Sequence, residues 1–69
     1  MKKYSVNVLG KNGYSFAVET HGSETDESIV DFCLENDLFD NRDDAFQCVI
    51  EELDESEFEF FSDCCYEMS

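Results

Sequence analysis

Positive charge is almost missing from this sequence. Four Lys or Arg stand against 18 Asp or Glu, and the formal net charge is −14. Three of the four cations, Lys2, Lys3 and Lys11, fall within the first eleven residues. Every acid comes later, from Glu19 onward, so Arg42 alone faces all 18 acids over residues 12–69. This balance argues against direct contact with nucleic acid or with an anionic membrane surface, since both repel such a chain. It favours cationic partners. Proline is absent as well. Aromatic residues are not scarce, and that separates this chain from acidic disordered ones, which hold few. With 14% aromatic and 42% hydrophobic residues, including seven Phe and three Tyr, the sequence reads as folded.

Long apolar runs are missing too. Nothing approaches the roughly 20 residues a membrane-spanning helix needs. The Met1-Lys2-Lys3 start resembles the charged opening of a signal peptide, but polar and apolar residues alternate after it with no continuous hydrophobic stretch. A cytoplasmic location is expected. At 8.0 kDa the chain has room for a single small acidic domain over 1–69.

The residue patterns that carry chemistry are equally sparse. Cys33, Cys48, Cys64 and Cys65 include no C-x-x-C pair, and the first two fall on separate predicted helices. They read as free or structural thiols rather than zinc ligands, with Cys64-Cys65 the more oxidisable pair if exposed. His21 is the only histidine and has no nucleophile in a recognisable pattern around it. Asp37, Asp40, Asp43 and Asp44 cluster near a turn, but the glycine and alternate spacing of a calcium loop are absent. No enzyme, metal site or cofactor is expected.

What is present begins with a hairpin. Tyr4, Val6 and Val8 alternate with Lys3, Ser5 and Asn7, and Tyr14, Phe16 and Val18 alternate with Ser15, Ala17 and Glu19. Gly10-Lys11-Asn12-Gly13 lies between them. Two period-2 runs around an Asn-Gly turn predict strands over about 3–9 and 14–19. Thr25 is placed to cap a helix over about 26–36, with Asp26 and Glu27 in its first turn and Ile29 and Cys33 on its apolar stripe. Asn41 is placed to cap a second helix over about 42–54, with Ala45, Phe46, Val49, Ile50 and Leu53 recurring at helical spacing. Phe58, Phe60 and Phe61 alternate with acids and predict a third strand over about 57–62. The expected class is α+β, with the two helices packed on one face of the sheet.

The segment from Glu35 to Phe46, ENDLFDNRDDAF, resembles the helix–turn–helix stretch of ribbon-helix-helix repressors. Those proteins lay basic or polar strand residues in the DNA major groove. Here the strands offer Lys2, Lys3 and Lys11 at most, so neither the DNA-binding function nor the family is carried over.

The acids remain to be explained. Solvated helices usually interleave Lys with Glu and gain i, i+4 pairs. This chain places like charges at that spacing instead, as at Asp40–Asp44 and Glu51–Glu55. The expected function is that of a non-enzymatic acidic binding protein. It would imitate the negative charge of a nucleic-acid backbone and inhibit a basic DNA- or RNA-binding protein or nuclease. The expected partner-binding residues are Asp43, Asp44, Glu51, Glu52, Asp54, Glu55, Glu57 and Glu59. The alternative is a general protein-interaction or structural module, able to form homodimers, using an edge strand or a patch at Phe58, Phe60 and Phe61.

Overall fold

A computed structural model describes residues 1–61 and 64–68. Strands β1 (Lys2–Val8) and β2 (Tyr14–Thr20) form the expected antiparallel hairpin, with Val6 opposite Phe16. The connection turns at Gly10, whose φ of 131° lies in a region L side chains rarely adopt. The Gly13 N–H donates to Gly10 O at 3.2 Å. A Cβ at Gly13 would sit 2.7 Å from Val8 O, so both glycines are required by the turn.

One hairpin face carries Tyr4, Val6, Val8, Phe16 and Val18, all buried. Helix α1 (Asp26–Glu35) covers it with Ile29 and Cys33, one turn apart and fully buried. The helix starts as its sequence implies, with Thr25 Oγ1 accepting from Ser28 N–H at 3.1 Å. It ends in a Schellman-type closure: Leu38 N–H donates to Cys33 O at 3.0 Å and Asp37 N–H to Leu34 O at 3.4 Å. Asp37 holds the left-handed position at φ 55°, where glycine is the usual occupant. Two hairpin tyrosines pin the connections on either side of α1. Tyr4 OH accepts from Glu24 N–H (3.2 Å) and Tyr14 OH from Asp40 N–H (2.7 Å). Phe39 fills the remaining gap, edge-on to Phe16 at 6.1 Å.

The α+β class, the N-terminal hairpin, two helices and a C-terminal strand are as expected, but the second half of the chain divides differently, with a further strand between the helices. Residues 42–54 do not form a helix. Arg42–Phe46 is a 3-10 turn, and β3 (Cys48–Leu53) follows it. Strand β3 pairs antiparallel with β1, with Ile50 opposite Val6. The apolar residues that fit helical spacing fit a strand equally well from Cys48 onward, and the adjacent β-branched Val49 and Ile50 favour the extended form. The helix–turn–helix likeness of residues 35–46 fails for the same reason, and Cys48 opens a strand instead of riding a helix.

The second helix is α2 (Glu55–Phe58), continued as a 3-10 turn over Glu59–Phe61, so the strand expected over 57–62 lies in helical backbone within its described part. The C-terminal strand comes later, as β4 (Cys65–Glu67), parallel to β2 with Val18 opposite Tyr66. The sheet order is β3-β1-β2-β4. The helices also take different faces. Lys3, out of phase with Tyr4, sets its ammonium 4.7 Å from the Phe58 ring centroid, which puts α2 on the face opposite α1. That face is lined by the small buried Ser5 and Ala17.

Candidate partner-binding surface

The eight acids singled out from the sequence fall in three places. Asp43 and Asp44 lie in the 3-10 turn before β3. Asp43 is exposed. Asp44 is half-buried and committed to the fold: its Oδ2 accepts from Tyr14 OH at 2.7 Å and from Asn41 N–H at 3.3 Å. Glu51 and Glu52 are consecutive in β3, so their side chains leave on opposite faces. Glu51 lies across from Ser5, while Glu52 pairs with Lys2 (2.8 Å), both partners solvent-exposed in part. The like-charge helical pair expected between Glu51 and Glu55 does not form, because Glu51 is in a strand.

Asp54, Glu55, Glu57 and Glu59 gather on and before α2. Asp54 is its cap, accepting from Glu57 N–H and Ser56 Oγ, each at 2.8 Å. Those bonds, the Glu57 backbone donor first, hold its carboxyl below the ordinary 3.8. Glu55, Glu57 and Glu59 are exposed. The structure thus gathers 54–59, splits 51 from 52 onto two faces, and sets 43–44 at the far end of β3, roughly 17 Å away at the usual strand rise.

One acidic row was missed. Glu24, Glu27, Asp31 and Glu35 follow one another at spacings of three, four and four, and all are exposed. On α1 the last three form a ridge about 12 Å long on the side away from Ile29 and Cys33. The signal was legible in the sequence as soon as the helix was placed.

The start of that ridge overlooks β3. Asp26, Glu27 and Val30 of α1 and Ala45, Cys48, Val49 and Ile50 line an open groove of about 420 Å³. Strand β3 is an edge of the sheet. Leu9 N–H donates to Gln47 O at 2.7 Å, which fixes the alternation of the ladder: Val49, Glu51 and Leu53 turn their backbone groups toward β1. Cys48, Ile50 and Glu52 therefore turn theirs outward, beside the groove. Phe46, just before the strand, is 89% exposed, and Val49 is exposed too.

Among the groups with nucleophilic character, burial pushes the Cys33 thiol up to about 12, and burial also raises Cys48 and Cys65. None of the three is a ready thiolate. The Tyr14 phenol is raised first by burial, and its oxygen is engaged with Asp44 and Asp40. His21 is exposed on the connection after β2. Among the described residues no three His, Cys, Asp or Glu side chains are grouped to hold a metal ion, and no helix is long and apolar enough to cross a membrane. Of the aromatic patch expected at Phe58, Phe60 and Phe61, only Phe60 is exposed, at 89%. No family model matches the chain, and no similar curated protein or solved structure was found.

Proposed function

We propose that this protein is a non-enzymatic acidic inhibitor that docks on the basic surface of a nucleic-acid-binding protein or nuclease and takes the place of the nucleic acid there. The observation that carries the reading is how openly the acids are displayed. Among the described residues every Asp and Glu except Glu19 and Asp44 is exposed, and Lys2–Glu52 is the one ion pair. A surface of one sign costs folding stability through self-repulsion, and a cationic partner relieves that cost on binding. The α1 ridge from Glu27 to Glu35 supports the reading further. It puts carboxylates about 6 Å apart along a helix whose opposite face is fixed in the core. Glu55, Glu57 and Glu59 add a second acidic cluster beyond β3. A cytoplasmic setting, where such partners work, belongs to the same proposal.

The test is displacement of duplex DNA from a set of nucleases and DNA-binding proteins with isoelectric points above about 9. Displacement that weakens steeply as salt rises is expected. Joint replacement Glu27→Gln, Asp31→Gln and Glu35→Gln should reduce it at least tenfold. Failure to displace DNA from any of them, or displacement equal at low and high salt, would reject the reading.

A second reading rests on Phe46 and Phe60, each 89% exposed. Large apolar groups so open to water favour a general protein-interaction module, including one that pairs with its own copy. Alanine at both positions would then abolish association while the carboxamide variants leave it intact.

A further inference from the structure

We propose that β3 is a docking edge, and that its occupant is an extended cationic segment of a partner protein that adds to the sheet as a fifth strand. The inference rests on the reading of a basic protein partner and adds the mode of contact.

Four observations meet at this edge. The backbone groups of Cys48, Ile50 and Glu52 face outward from a six-residue strand, enough for a full ladder with an added strand. The opposite edge of the sheet, β4, is only three residues long and offers much less. Proteins blunt a long edge with lysine, proline or a bulge. Strand β3, CVIEEL, has no lysine or proline, and its register against β1 runs unbroken from Cys48 to Leu53. Beside it lies the groove in which Val30, Ala45 and Ile50 form an apolar floor and Asp26 and Glu27 stand on the α1 wall.

Charge selects the occupant. Glu51 and Glu52 guard the two faces of the strand, and Asp54 and Glu55 follow at its end. Only Glu52 has a cation, Lys2, on it. A second copy of this chain would bring −14 against −14 and the same glutamates against these, so the edge is protected from itself. A strand of Lys or Arg alternating with β-branched residues satisfies both parts. Its backbone completes the ladder, its apolar side chains meet Val30 and Ile50 on the α1 face, and its cations, on the other face, meet Glu51 within the negative field of the surrounding acids.

The probe is an end-capped eight-residue peptide of alternating Lys and Val, titrated against the full chain. Two controls share its charge: the same peptide N-methylated at every residue, and one of alternating Lys and Gly. The parent peptide should bind at least tenfold more tightly than either, and amide exchange at Ile50 and Glu52 should slow on binding. Val49→Lys, which sets a cation on the edge, should weaken the parent at least tenfold. Equal binding of parent and N-methylated peptides, unchanged exchange at Ile50 and Glu52, or a free protein that sediments as a dimer paired through β3 would each overturn the proposal. Displacement of DNA together with any of these results would leave the inhibitor reading standing and remove only its docking mode.

Discussion

The inner and outer strands of this sheet are built on opposite principles. Strands β1 and β2 are flanked on both sides and bury most of what they carry. Val6, Val18, Ala17 and Thr20 are all but closed to water. Strands β3 and β4 have one neighbour each, and no residue in either is fully buried. The cations follow the same division, with Lys2 and Lys3 on β1 and the unpaired carboxylates on the flanks. Stability is therefore concentrated in the hairpin and α1, and display is concentrated in β3, α2 and the outer ridge of α1.

The largest test of that contrast is Ile29→Ala. Truncating a buried aliphatic side chain costs about 2–5 kcal/mol, against a total of order 5 kcal/mol for a domain of this size. The variant should keep at most about 3 kcal/mol, seen as a urea midpoint well below the parent's. Phe60→Ala should stay within about 0.5 kcal/mol of the parent in a urea titration. Comparable losses at the two positions would erase the distinction.

Next in size are the pins and caps around α1. Tyr14→Phe leaves Asp40 N–H without its acceptor and Asp44 without its donor, and should cost about 1–2 kcal/mol. It should also change the alkaline limb. Burial raises the phenol in the folded state, so its contribution is whole below the ordinary value of 10.0 and is lost as pH climbs through the higher folded value. The parent should lose stability there and the phenylalanine variant should not share that component. Asp37→Gly works in the other direction. It relieves a left-handed backbone and removes an acid from the negative end of a helix dipole. A gain of about 1 kcal/mol is expected, seen as a melting temperature higher by roughly 4–8 °C.

Salt sharpens the comparison from the side of the display surface. Raising ionic strength from 0.05 to 0.5 M screens repulsion among exposed acids, so the melting temperature should rise by a few degrees. A fall would mean that attractive pairs dominate. The smallest effect is chemical. Cys64 is exposed, whereas Cys33 is fully buried with its thiol near 12. Alkylation at pH 8 should label Cys64 first and leave Cys33 unmodified until the protein unfolds.

The same division explains which elements could be read from the sequence. The hairpin announced itself because its α1 face takes large apolar side chains and its other face small or polar ones, an alternation visible from Tyr4 to Val8 and from Tyr14 to Val18. Helix α1 was legible from Thr25, Ile29 and Cys33, where cap and stripe agree. Strand β3 was not, because an edge strand buries so little that its pattern relaxes. Val49, Ile50 and Leu53 satisfy a helical period by accident, and Phe46 joins that pattern although it faces water. The tail misled for a related reason: Phe58 packs under Lys3 through a tertiary contact that local spacing does not encode. Among the acids, Asp44 and Asp54 were chosen for their charge, yet hydrogen bonds occupy them. The ridge at Glu27, Asp31 and Glu35 follows from the helix that had been placed correctly.

The parallel pairing of β4 with β2 has a consequence for how the chain comes into being. Its bonds run from Ala17 N–H to Cys64 O and from Met68 N–H to Glu19 O. The middle of the sheet thus waits for residues made some fifty positions later. A ribosome still adding those residues holds a hairpin with Tyr66 not yet seated on Phe16. Sealing of that flank is the last step in assembling the sheet, and a message cut short before Cys65 would release a product with β2 open along one side.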